Sequence, residues 1–363
     1  MRILHAADLH LDSAFAALPP EKARARRRES REILQTLTDL VKKECVDLVL
    51  LSGDLFDGER VFPETIELLK TSLAQMNCPV CIAPGNHDPY TTFSPYAREE
   101  WPNNVHIFRA EALSAVSIDR LNCVIHGAAF IDHHRHSQTL SGFSAPQDGK
   151  LHLLCLHGAV NEPDSMYGSI TREQLAHCGC SYAALGHIHR YSGVQMEGSC
   201  VWVYPGCPEG RGFDETDDKG AVIAEVSASR VDVRFIPLCR RRYRILRADV
   251  TNTSPTEALQ RILPPTAEDD ICRVIFTGEV GERGLDLQAL QDKLSHRFYA
   301  LELRDETRPA RDIWHSAEED SLRGLFLTEL RKRFDNAATQ EEKERIIAAV
   351  RFGLAALDGR DIG

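Results

Sequence analysis

Acidic and imidazole side chains stand directly after short apolar runs in this sequence, at spacings that suit metal binding. Asp8 and His10 follow the apolar start of the chain, and residues two apart on an extended segment project to the same side. Asp54 and Asp57 follow the apolar run at residues 46–51 and a glycine turn. One carboxylate can bind two metal ions, one with each oxygen, and we expect Asp54 to do so.

The arrangement recurs three more times along the chain. The remaining candidates are Asn86, His87 and Asp88 in the segment GNHD, His157 in LHG, and His187 and His189 in GHIH. A single acid or histidine at a strand end is more often a solvated or structural residue than a ligand. Five separate segments that offer carboxylate, imidazole and amide groups in a two-metal proportion are hard to obtain by chance.

The combined ligand set mixes nitrogen and oxygen donors and contains no thiolate. Such a set suits manganese, iron or zinc, whereas calcium prefers oxygen ligands and structural zinc sites are rich in cysteine. Two ions about 3.5–4 Å apart bridge a water, lower its pKa from about 15.7 toward 7 and clamp a phosphoryl oxygen. The sequence therefore predicts two divalent ions, with manganese preferred, and phosphoester hydrolysis by the bridging hydroxide.

Alternating strands and helices position these side chains. The sequence predicts a strand at residues 1–7, a helix that opens at Pro19 and Pro20, the strand at residues 46–51, a helix from Pro63 and a strand at residues 80–83. This order is typical of a layered α/β domain. Further strands, with little helix between them, are predicted at residues 122–126, 151–157, 182–185, 200–204, 221–226 and 231–236. We therefore expect a second, more antiparallel sheet to pack on the first.

The motif order DxH, GDxxD, GNHD, H and GHxH resembles the calcineurin-like metallophosphoesterase superfamily across residues 1–238. Within it, the sequence is similar to the SbcD-type DNA repair exonuclease subunits, including the YhaO-like bacterial branch. The supporting segments are HAADLHLDS at residues 5–13, GDLFD at residues 53–57, YPG at residues 204–206 and GRGF at residues 210–213. The resemblance implies a four-layer α-β-β-α sandwich with a small α+β capping domain and C-terminal helices.

The resemblance also implies a role for each candidate side chain. One ion would be held by Asp8, His10, Asp54 and His189, and the other by Asp54, Asn86, His157 and His187. His87 would be the general acid for the leaving oxygen, and Asp88 would orient it. Asp57 stands where some relatives carry a second histidine near the scissile phosphate, and Cys207 replaces a serine found in many relatives.

Basic residues on this acidic chain are concentrated in short stretches. The formal net charge of −11 argues against a protein that coats polyanions generally, so any DNA contact must come from local patches. The predicted DNA contacts are Arg211, Arg240, Arg241, Arg242 and Arg244. A second arginine-rich stretch at residues 24–31 is interpreted either as a solvated helix face or as a phosphate-contacting patch.

The chain divides into three predicted parts. Residues 1–238 form the two-metal phosphoesterase domain, residues 239–315 a capping and DNA-binding domain, and residues 316–363 a helical partner-binding segment. Capping boxes predict helix starts at Ser316 with Glu319 and at Thr339 with Glu342.

The first of the two final helices carries an apolar stripe. Its members are Leu322, Phe326, Leu330 and Phe334, spaced four residues apart. The stripe either packs back on its own domain or contacts another chain. The resemblance favours the second interpretation, with an SbcC-like coiled-coil ATPase as the partner, and a homodimer is a further possibility.

Cysteine usage and hydropathy indicate the compartment. The eleven cysteines are scattered without a disulfide framework, no apolar stretch approaches the roughly 20 residues that span a bilayer, and the start of the chain lacks signal-peptide features. We therefore expect a cytoplasmic protein without a membrane partner. The histidine-rich segment at residues 132–136 is interpreted as a solvated loop.

These observations predict a metal-dependent DNA nuclease, the nuclease subunit of an SbcCD-like DNA repair complex. One alternative is a small-molecule phosphodiesterase or phosphatase of the same superfamily. Another is a scaffold without catalysis that binds DNA ends or the ATPase. The complete ligand set and His87 argue against the scaffold, because binding alone needs no general acid.

Overall fold

The structure is a computed structural model that describes residues 1–58, 60–216, 218–264, 267–280, 284–309, 313–314 and 316–357. The strands are β1 (Arg2–Ala6), β2 (Leu48–Leu51), β3 (Val80–Ile82), β4 (Val105–Ile107), β5 (Ser114–Ile118), β6 (Cys123–Gly127), β7 (Leu151–His157), β8 (Tyr182–Gly186), β9 (Gln195–Glu197), β10 (Cys200–Val203), β11 (Gly220–Val226), β12 (Val231–Pro237), β13 (Tyr243–Asp249), β14 (Ile271–Thr277), β15 (Glu279–Val280), β16 (Ala300–Asp305) and β17 (Arg308–Pro309). The helices are α1 (Pro20–Glu44), α2 (Pro63–Gln75), α3 (Pro95–Arg98), α4 (Arg172–His177), α5 (Pro255–Ile262), α6 (Leu287–Leu294), α7 (Leu322–Asn336) and α8 (Gln340–Leu357). Within the described ranges, no helix has both the length and the apolar character that crossing a membrane requires.

The first sheet has the order β12-β11-β1-β2-β3-β4. Strands β1 to β4 are parallel, and β11 and β12 complete the sheet in antiparallel pairing. Every residue of β2 is buried, as the continuous apolar run predicts for a central parallel strand.

The second sheet has the order β5-β6-β7-β8-β10-β9 and differs from the prediction of a more antiparallel sheet. Its four central strands are parallel, and only the edge strands β5 and β9 pair in antiparallel fashion. The antiparallel pair β11 and β12 belongs to the first sheet. The prediction was wrong because irregular segments and the short helix α4 make the crossovers that longer helices usually make between parallel strands.

Alternation along the strands creates separate apolar layers. Ile3, Leu48 and Leu153 belong to the core between the two sheets. Their neighbours Leu4 and Val49 point the other way and pack with apolar residues of α1 and α2. On the outer face of the second sheet, the third core contains residues of β7, β8, β10 and α4. The predicted four-layer α-β-β-α sandwich is confirmed.

The chain divides into two compact units, which differ in outline from the three predicted parts. The first unit comprises Met1–Ile245, Pro265–Arg273 and Ser295–Leu301, and the second comprises Leu246–Pro264, Val274–Leu294 and Glu302–Gly363. A three-stranded sheet in the order β13-β14-β16 and the pair β15-β17 follow the sandwich in sequence. The predicted boundaries at residues 238 and 315 stay predictions.

Helices α7 and α8 pack against each other within the second unit. A Cβ atom on Gly353 would lie 2.1 Å from the Phe326 ring, so this glycine permits the close approach of the two helices. Ser321, rather than the predicted Ser316, caps α7 and accepts a hydrogen bond from the Gly324 amide. At the start of α8, the Thr339 hydroxyl accepts a hydrogen bond from the Glu342 amide, as the sequence predicts.

The predicted apolar stripe of α7 is divided by this packing. Phe326 contacts α8, and the Phe334 ring lies 5.7 Å from the Trp314 ring. Leu322 and Leu325 are instead 71% and 69% exposed, and Phe352 on α8 is 57% exposed. Leu322 is therefore the exposed member of the predicted stripe, and the other two exposed apolar residues, Leu325 and Phe352, lie outside it.

Candidate metal centre

The predicted ligands meet because both sheets end their parallel strands at this site. Asp8 and His10 follow β1, Asp54 follows β2, Asn86 and His87 follow β3, His157 ends β7, and His187 and His189 follow β8. Strands β1, β2 and β3 are parallel neighbours in one sheet, and β7 and β8 are parallel neighbours in the other. Carboxyl ends of parallel strands share one edge, which brings these segments together.

One group of donor atoms belongs to Asp8, His10, Asp54 and His189, and these atoms lie within 4.8 Å of one another. Nε2 of His10 is 3.1 Å from Nε2 of His189 and 3.7 Å from Oδ2 of Asp54. Nε2 of His189 is 3.9 Å from Oδ1 of Asp8. These are the four side chains that the family resemblance assigns to one ion.

The hydrogen bonds made by the Nδ1 atoms of His10 and His189 indicate that their Nε2 atoms, which face each other, need a cation between them. Nδ1 of His10 is 3.1 Å from Oδ1 of Asp57, and Nδ1 of His189 is 2.7 Å from Oε1 of Glu215. Because carboxylates accept hydrogen bonds, both Nδ1 atoms carry hydrogens and the two Nε2 lone pairs converge. A shared proton or a metal ion satisfies them, and the adjoining carboxylates of Asp8 and Asp54 favour a divalent ion.

The second group gathers around the Asn86 amide. Its Oδ1 atom is 3.0 Å from Nε2 of His157 and 3.2 Å from Nδ1 of His187. Nδ1 of His157 donates to the Ser52 carbonyl at 2.9 Å, so its Nε2 atom presents a lone pair toward Asn86. This donor set also fits a divalent ion.

Asp54 lies between the two groups, although it differs from the prediction in how its oxygens are used. Oδ2 is 3.7 Å from Nε2 of His10 and 3.5 Å from Nε2 of His157, so one oxygen faces both subsites. Oδ1 accepts a hydrogen bond from the His87 backbone amide at 2.9 Å. A Cβ atom on Gly85 would lie 2.1 Å from this Oδ1 atom, which explains the glycine of the GNHD segment.

The backbone is strained at four candidate ligands. Asp8, His10, Asp54 and His187 have φ values of 55°, 43°, 52° and 113°, in the region that favours glycine. Such conformations cost of order 1–3 kcal/mol each and persist where the surrounding structure holds them. Their concentration here supports a functional site, and the sequence pattern gives no sign of it.

Burial favours the neutral forms of three candidate imidazoles and of the Asp8 carboxyl, whereas at His189 burial is outweighed by the carboxylates of Glu215 and Asp8, which raise the pKa. It lowers the pKa of His157 and of His187 to about 3 and that of His10 to about 4, so these rings are available as neutral ligands. Burial raises the pKa of Asp8 to about 7; charged His189 opposes this rise and Asp54 adds to it. Burial also opposes ionisation of Glu215, but His189 and Arg211 bring its pKa down to about 2.

Asp88 holds the Asp54 turn rather than the His87 ring, which corrects its predicted orienting role. Its carboxylate is 2% exposed. It accepts hydrogen bonds from the backbone amides of Asp54, Leu55, Phe56 and Gly85 and from the Tyr96 hydroxyl. Buried carboxylates with such donors fix a backbone turn.

The His87 ring lies at the open side of the site. Its side chain is 43% exposed, and its ring packs edge-on to His10 with centroids 4.8 Å apart. Nδ1 of His87 is 3.8 Å from Oδ1 of Asp57, so Asp57 is the carboxylate beside this ring. Arg211 donates from a terminal guanidinium nitrogen to the same Oδ1 atom at 2.8 Å.

The arginine stretch after the sandwich is largely paired with acids. Arg241 is 7% exposed and binds Glu29 through two nitrogens, which corrects the prediction that it contacts DNA. Two further pairs are Arg242 with Asp218 and Arg244 with Asp270, whose arginines are each 28% exposed. Arg240 has a 58% exposed side chain and stays a predicted DNA contact, as do Arg211, Arg242 and Arg244.

The earlier arginine-rich stretch fits neither interpretation throughout, because one of its arginines is buried and paired with acids. Arg26 is fully buried and binds Glu29 and Glu209, whereas Arg24 and Arg28 on the same helix are exposed.

In the histidine-rich loop, Nδ1 of His133 lies 2.8 Å from the Asn86 carbonyl oxygen. The loop therefore reaches the site, which its sequence did not indicate.

Comparison with known proteins places this geometry in context. A family profile described as calcineurin-like phosphoesterase matches residues 1–191. Bacillus subtilis (strain 168) has a similar protein described as the uncharacterized metallophosphoesterase YhaO. It is 29% identical over 394 aligned residues, which cover 95% of this chain and 95% of that protein.

Two relatives with nuclease or repair names match shorter parts of the chain. The SbcD component of the nuclease SbcCD from Bacillus subtilis (strain 168) is 28% identical over 126 residues, covering 33% of this chain and 30% of that protein. The DNA double-strand break repair protein Mre11 of Saccharolobus solfataricus is 28% identical over 214 residues, covering 55% and 53%. The resemblance predicted from the motif order is confirmed.

Proposed function

This chain belongs to the calcineurin-like phosphoesterase family, and from that premise we propose that it is a metal-dependent DNA nuclease. The observation that carries the proposal is the convergence of two donor groups on Asp54, with exposed His87 beside them. A metal-binding hydrolase site is what the family and this cluster support directly. DNA as the substrate is the finer part of the proposal.

Two divalent ions would occupy the described donor groups. Asp8, His10, Asp54 and His189 would hold one, and Asp54, Asn86, His157 and His187 the other. Bound there, the ions supply Lewis-acid polarisation of a phosphoryl oxygen and an activated water. We propose manganese, with iron or zinc as alternatives; the nitrogen and oxygen donors without thiolate suit all three metals.

His87 would give its proton to the leaving oxygen. Its backbone amide is fixed on Oδ1 of Asp54, while its ring stays 43% exposed beside His10. The ring is therefore held next to the donor groups and remains accessible to a substrate. General acids positioned in this way contribute about 10²–10⁴-fold to rate.

Support for DNA comes from the named relatives and from local basic residues. Arg211 lies at the site, and Arg24, Arg28 and Arg240 present exposed guanidinium groups. The YhaO relative, which matches 95% of the chain, carries no substrate in its name, whereas the nuclease and repair relatives match between 24% and 61% of it.

The paired arginines favour one alternative, a small-molecule phosphodiesterase or phosphatase. Arg241, Arg242 and Arg244 bind Glu29, Asp218 and Asp270, which weakens the predicted DNA track. A small diester needs the metal centre and His87 but no such track. The alternatives therefore differ in substrate size and share their chemistry.

Cleavage assays with the purified protein and manganese distinguish these alternatives. Linear, hairpin and single-stranded DNA are tested beside a chromogenic diester, each with chelator and Asp54→Ala controls. Manganese-dependent DNA cleavage supports the proposal, whereas cleavage of the diester alone supports the small-molecule enzyme. Absence of both activities, with and without the ATPase, would favour the scaffold.

We also propose an SbcC-like coiled-coil ATPase as the partner. The names of the SbcCD relatives and the exposed Leu322, Leu325 and Phe352 support this assignment. A nuclease of this kind would work in the cytoplasm, and the eleven free cysteines agree with a reducing compartment. Self-association through the same helices would yield a homodimer and is tested by sizing the protein without the ATPase.

A further inference from the structure

Two carboxylates outside the predicted ligand set hold the far nitrogens of two predicted ligands. Asp57 faces Nδ1 of His10 at 3.1 Å, and Glu215 faces Nδ1 of His189 at 2.7 Å. Arg211 joins the carboxylates, with one terminal nitrogen 2.8 Å from Asp57 and the other 3.3 Å from Glu215. Asp57, Arg211 and Glu215 form the brace, as we name this set of three residues.

Glu215 is held firmly in its place. Its side chain is 5% exposed, and its second oxygen accepts the Arg211 amide at 2.7 Å and faces the Cys207 thiol at 3.6 Å. Its own amide donates to the Gly212 carbonyl. With both oxygens engaged, the carboxylate has one orientation in which to receive the His189 hydrogen.

Asp57 completes the brace from another segment. Its Oδ1 atom accepts from both His10 and Arg211, and the side chain is 28% exposed. Because Asp57 follows β2 and Glu215 precedes β11, the brace joins segments that are distant in sequence. Oδ1 of Asp57 also lies 3.8 Å from Nδ1 of the His87 ring.

We propose that Glu215 and Asp57, tied together by Arg211, are positioning residues for the ion bound by Asp8, His10, Asp54 and His189. This inference rests on the two-metal centre of the proposed function. A carboxylate on the far nitrogen of a ligating histidine fixes its tautomer and ring orientation and makes the ligand more basic. Here the brace leaves both Nε2 lone pairs free to point at one ion.

Among the residues that the structure describes, this arrangement is confined to one of the two subsites. In the other, Nδ1 of His157 donates to the Ser52 backbone carbonyl, and His187 has Nδ1 toward Asn86. Removing the brace carboxylates should therefore weaken one ion and spare the other. A general loss of stability would not produce that asymmetry.

Manganese titration of the metal-free protein tests this asymmetry. Isothermal calorimetry of the wild type is compared with Glu215→Gln and Asp57→Asn, and electron paramagnetic resonance distinguishes coupled manganese pairs from single ions. We expect each variant to bind one ion about 10–100-fold more weakly. At matched manganese concentration the coupled-pair signal should give way to that of single ions.

Glu209→Gln is the matched control. Glu209 is also 5% exposed and lies six positions before Glu215, but it binds Arg26 and the Arg240 amide instead of a candidate ligand. This control should lower the unfolding temperature and leave both manganese affinities unchanged. Asp57→Asn provides the second variant if Glu215→Gln fails to fold, because Asp57 is partly exposed. Glu215→Asp, which keeps the carboxylate, should recover part of the lost affinity.

The possible failures can be told apart. If the wild type binds two manganese ions and both brace variants keep them with unchanged affinity, the inference is overturned and the metal centre stands. Equal weakening of both ions, or an equal effect of Glu209→Gln, also overturns it by showing a structural role. A wild-type protein that binds no divalent metal overturns both proposals.

Discussion

Nε2 of His10 lies 3.1 Å from Nε2 of His189, although 179 residues separate them in the sequence. His10 follows a strand of the first sheet and His189 follows a strand of the second. Their meeting therefore depends on the packing of the two sheets with these strand ends side by side. A site built in this way is complete only when the sandwich has folded.

Asp54→Ala and His87→Ala should separate metal binding from proton transfer. Asp54 faces both donor groups, so its removal should abolish metal occupancy and activity together. His87→Ala should keep both ions and lose roughly 10²–10⁴-fold in rate, the usual contribution of a positioned acid. Metal content by mass spectrometry and rates on DNA measure the two effects, and equal metal loss in both variants would contradict these roles.

The stability of the metal-free protein should rise with pH between about 4 and 6.5, above the lowered pKa values of the buried histidines and below their ordinary value. Burial lowers the pKa of His5 and of His157 to about 3, so their stabilising effect is present above 6.5 and lost as pH falls toward 3. His10 and His187 act in the same direction. Burial raises the pKa values of Asp8 and Asp88 to about 7; these two groups act oppositely, since their contributions are lost as pH rises through about 7.

Replacement of His5 tests this dependence away from the metal centre. His5 is fully buried and lies 2.9 Å from the Tyr182 hydroxyl. His5→Gln removes one group that takes up a proton on unfolding. The slope of unfolding free energy against pH should therefore fall by up to about 1.4 kcal/mol per pH unit. Denaturant unfolding in chelator at several pH values measures it, with His136→Gln in an exposed loop as the control. An unchanged slope for His5→Gln would mean that this histidine does not carry the effect.

The candidate ligands were predictable because each follows an apolar run that also identifies a strand. Asp8, Asp54 and His157 stand at such ends, and the glycines beside Asp54 and His157 add to the pattern. Glu215 was missed because it lies in a loop with no apolar run before it. Only the completed fold brings this loop to His189.

Charge pairing and strand direction were beyond the sequence pattern for a related reason. Arg241 appears within an uninterrupted basic stretch, but its partner Glu29 lies 212 residues earlier. Periodicity likewise identifies β7 and β8 without stating whether they run parallel. In both cases the missing information is which distant segments become neighbours.

Neighbouring arginines should respond differently to replacement. Arg240 is 58% exposed, and if it contacts a phosphate its removal should flatten the slope of log affinity against log salt by about 0.9 on duplex DNA. Arg241 binds buried Glu29, so Arg241→Ala should cost about 3–5 kcal/mol of stability. Salt-dependent binding and denaturant unfolding measure the two effects.

The outcome for Arg240 also locates the DNA track. An unchanged salt slope in Arg240→Ala would move the predicted contacts elsewhere, and exposed Arg24 and Arg28 are then the residues to replace. A stable Arg241→Ala protein with a reduced salt slope would restore Arg241 as a DNA contact.

The exposed apolar residues of the final helices should be required for binding the coiled-coil ATPase. Leu322, Leu325 and Phe352 are each more than half exposed. Serine at all three positions should change stability little, because surface substitutions are usually within about ±0.5 kcal/mol each. The variant should keep manganese-dependent cleavage and lose co-purification with the ATPase.

Met196→Ser is the matched control for this surface. Met196 is 67% exposed on β9 of the sandwich, so its replacement removes a similarly exposed apolar side chain from another face. This variant should still co-purify with the ATPase. Phe326→Ser should behave differently from both, because Phe326 packs on Gly353 and its loss should lower the unfolding temperature. A triple-serine protein that still co-purifies with the ATPase would show that the partner binds elsewhere.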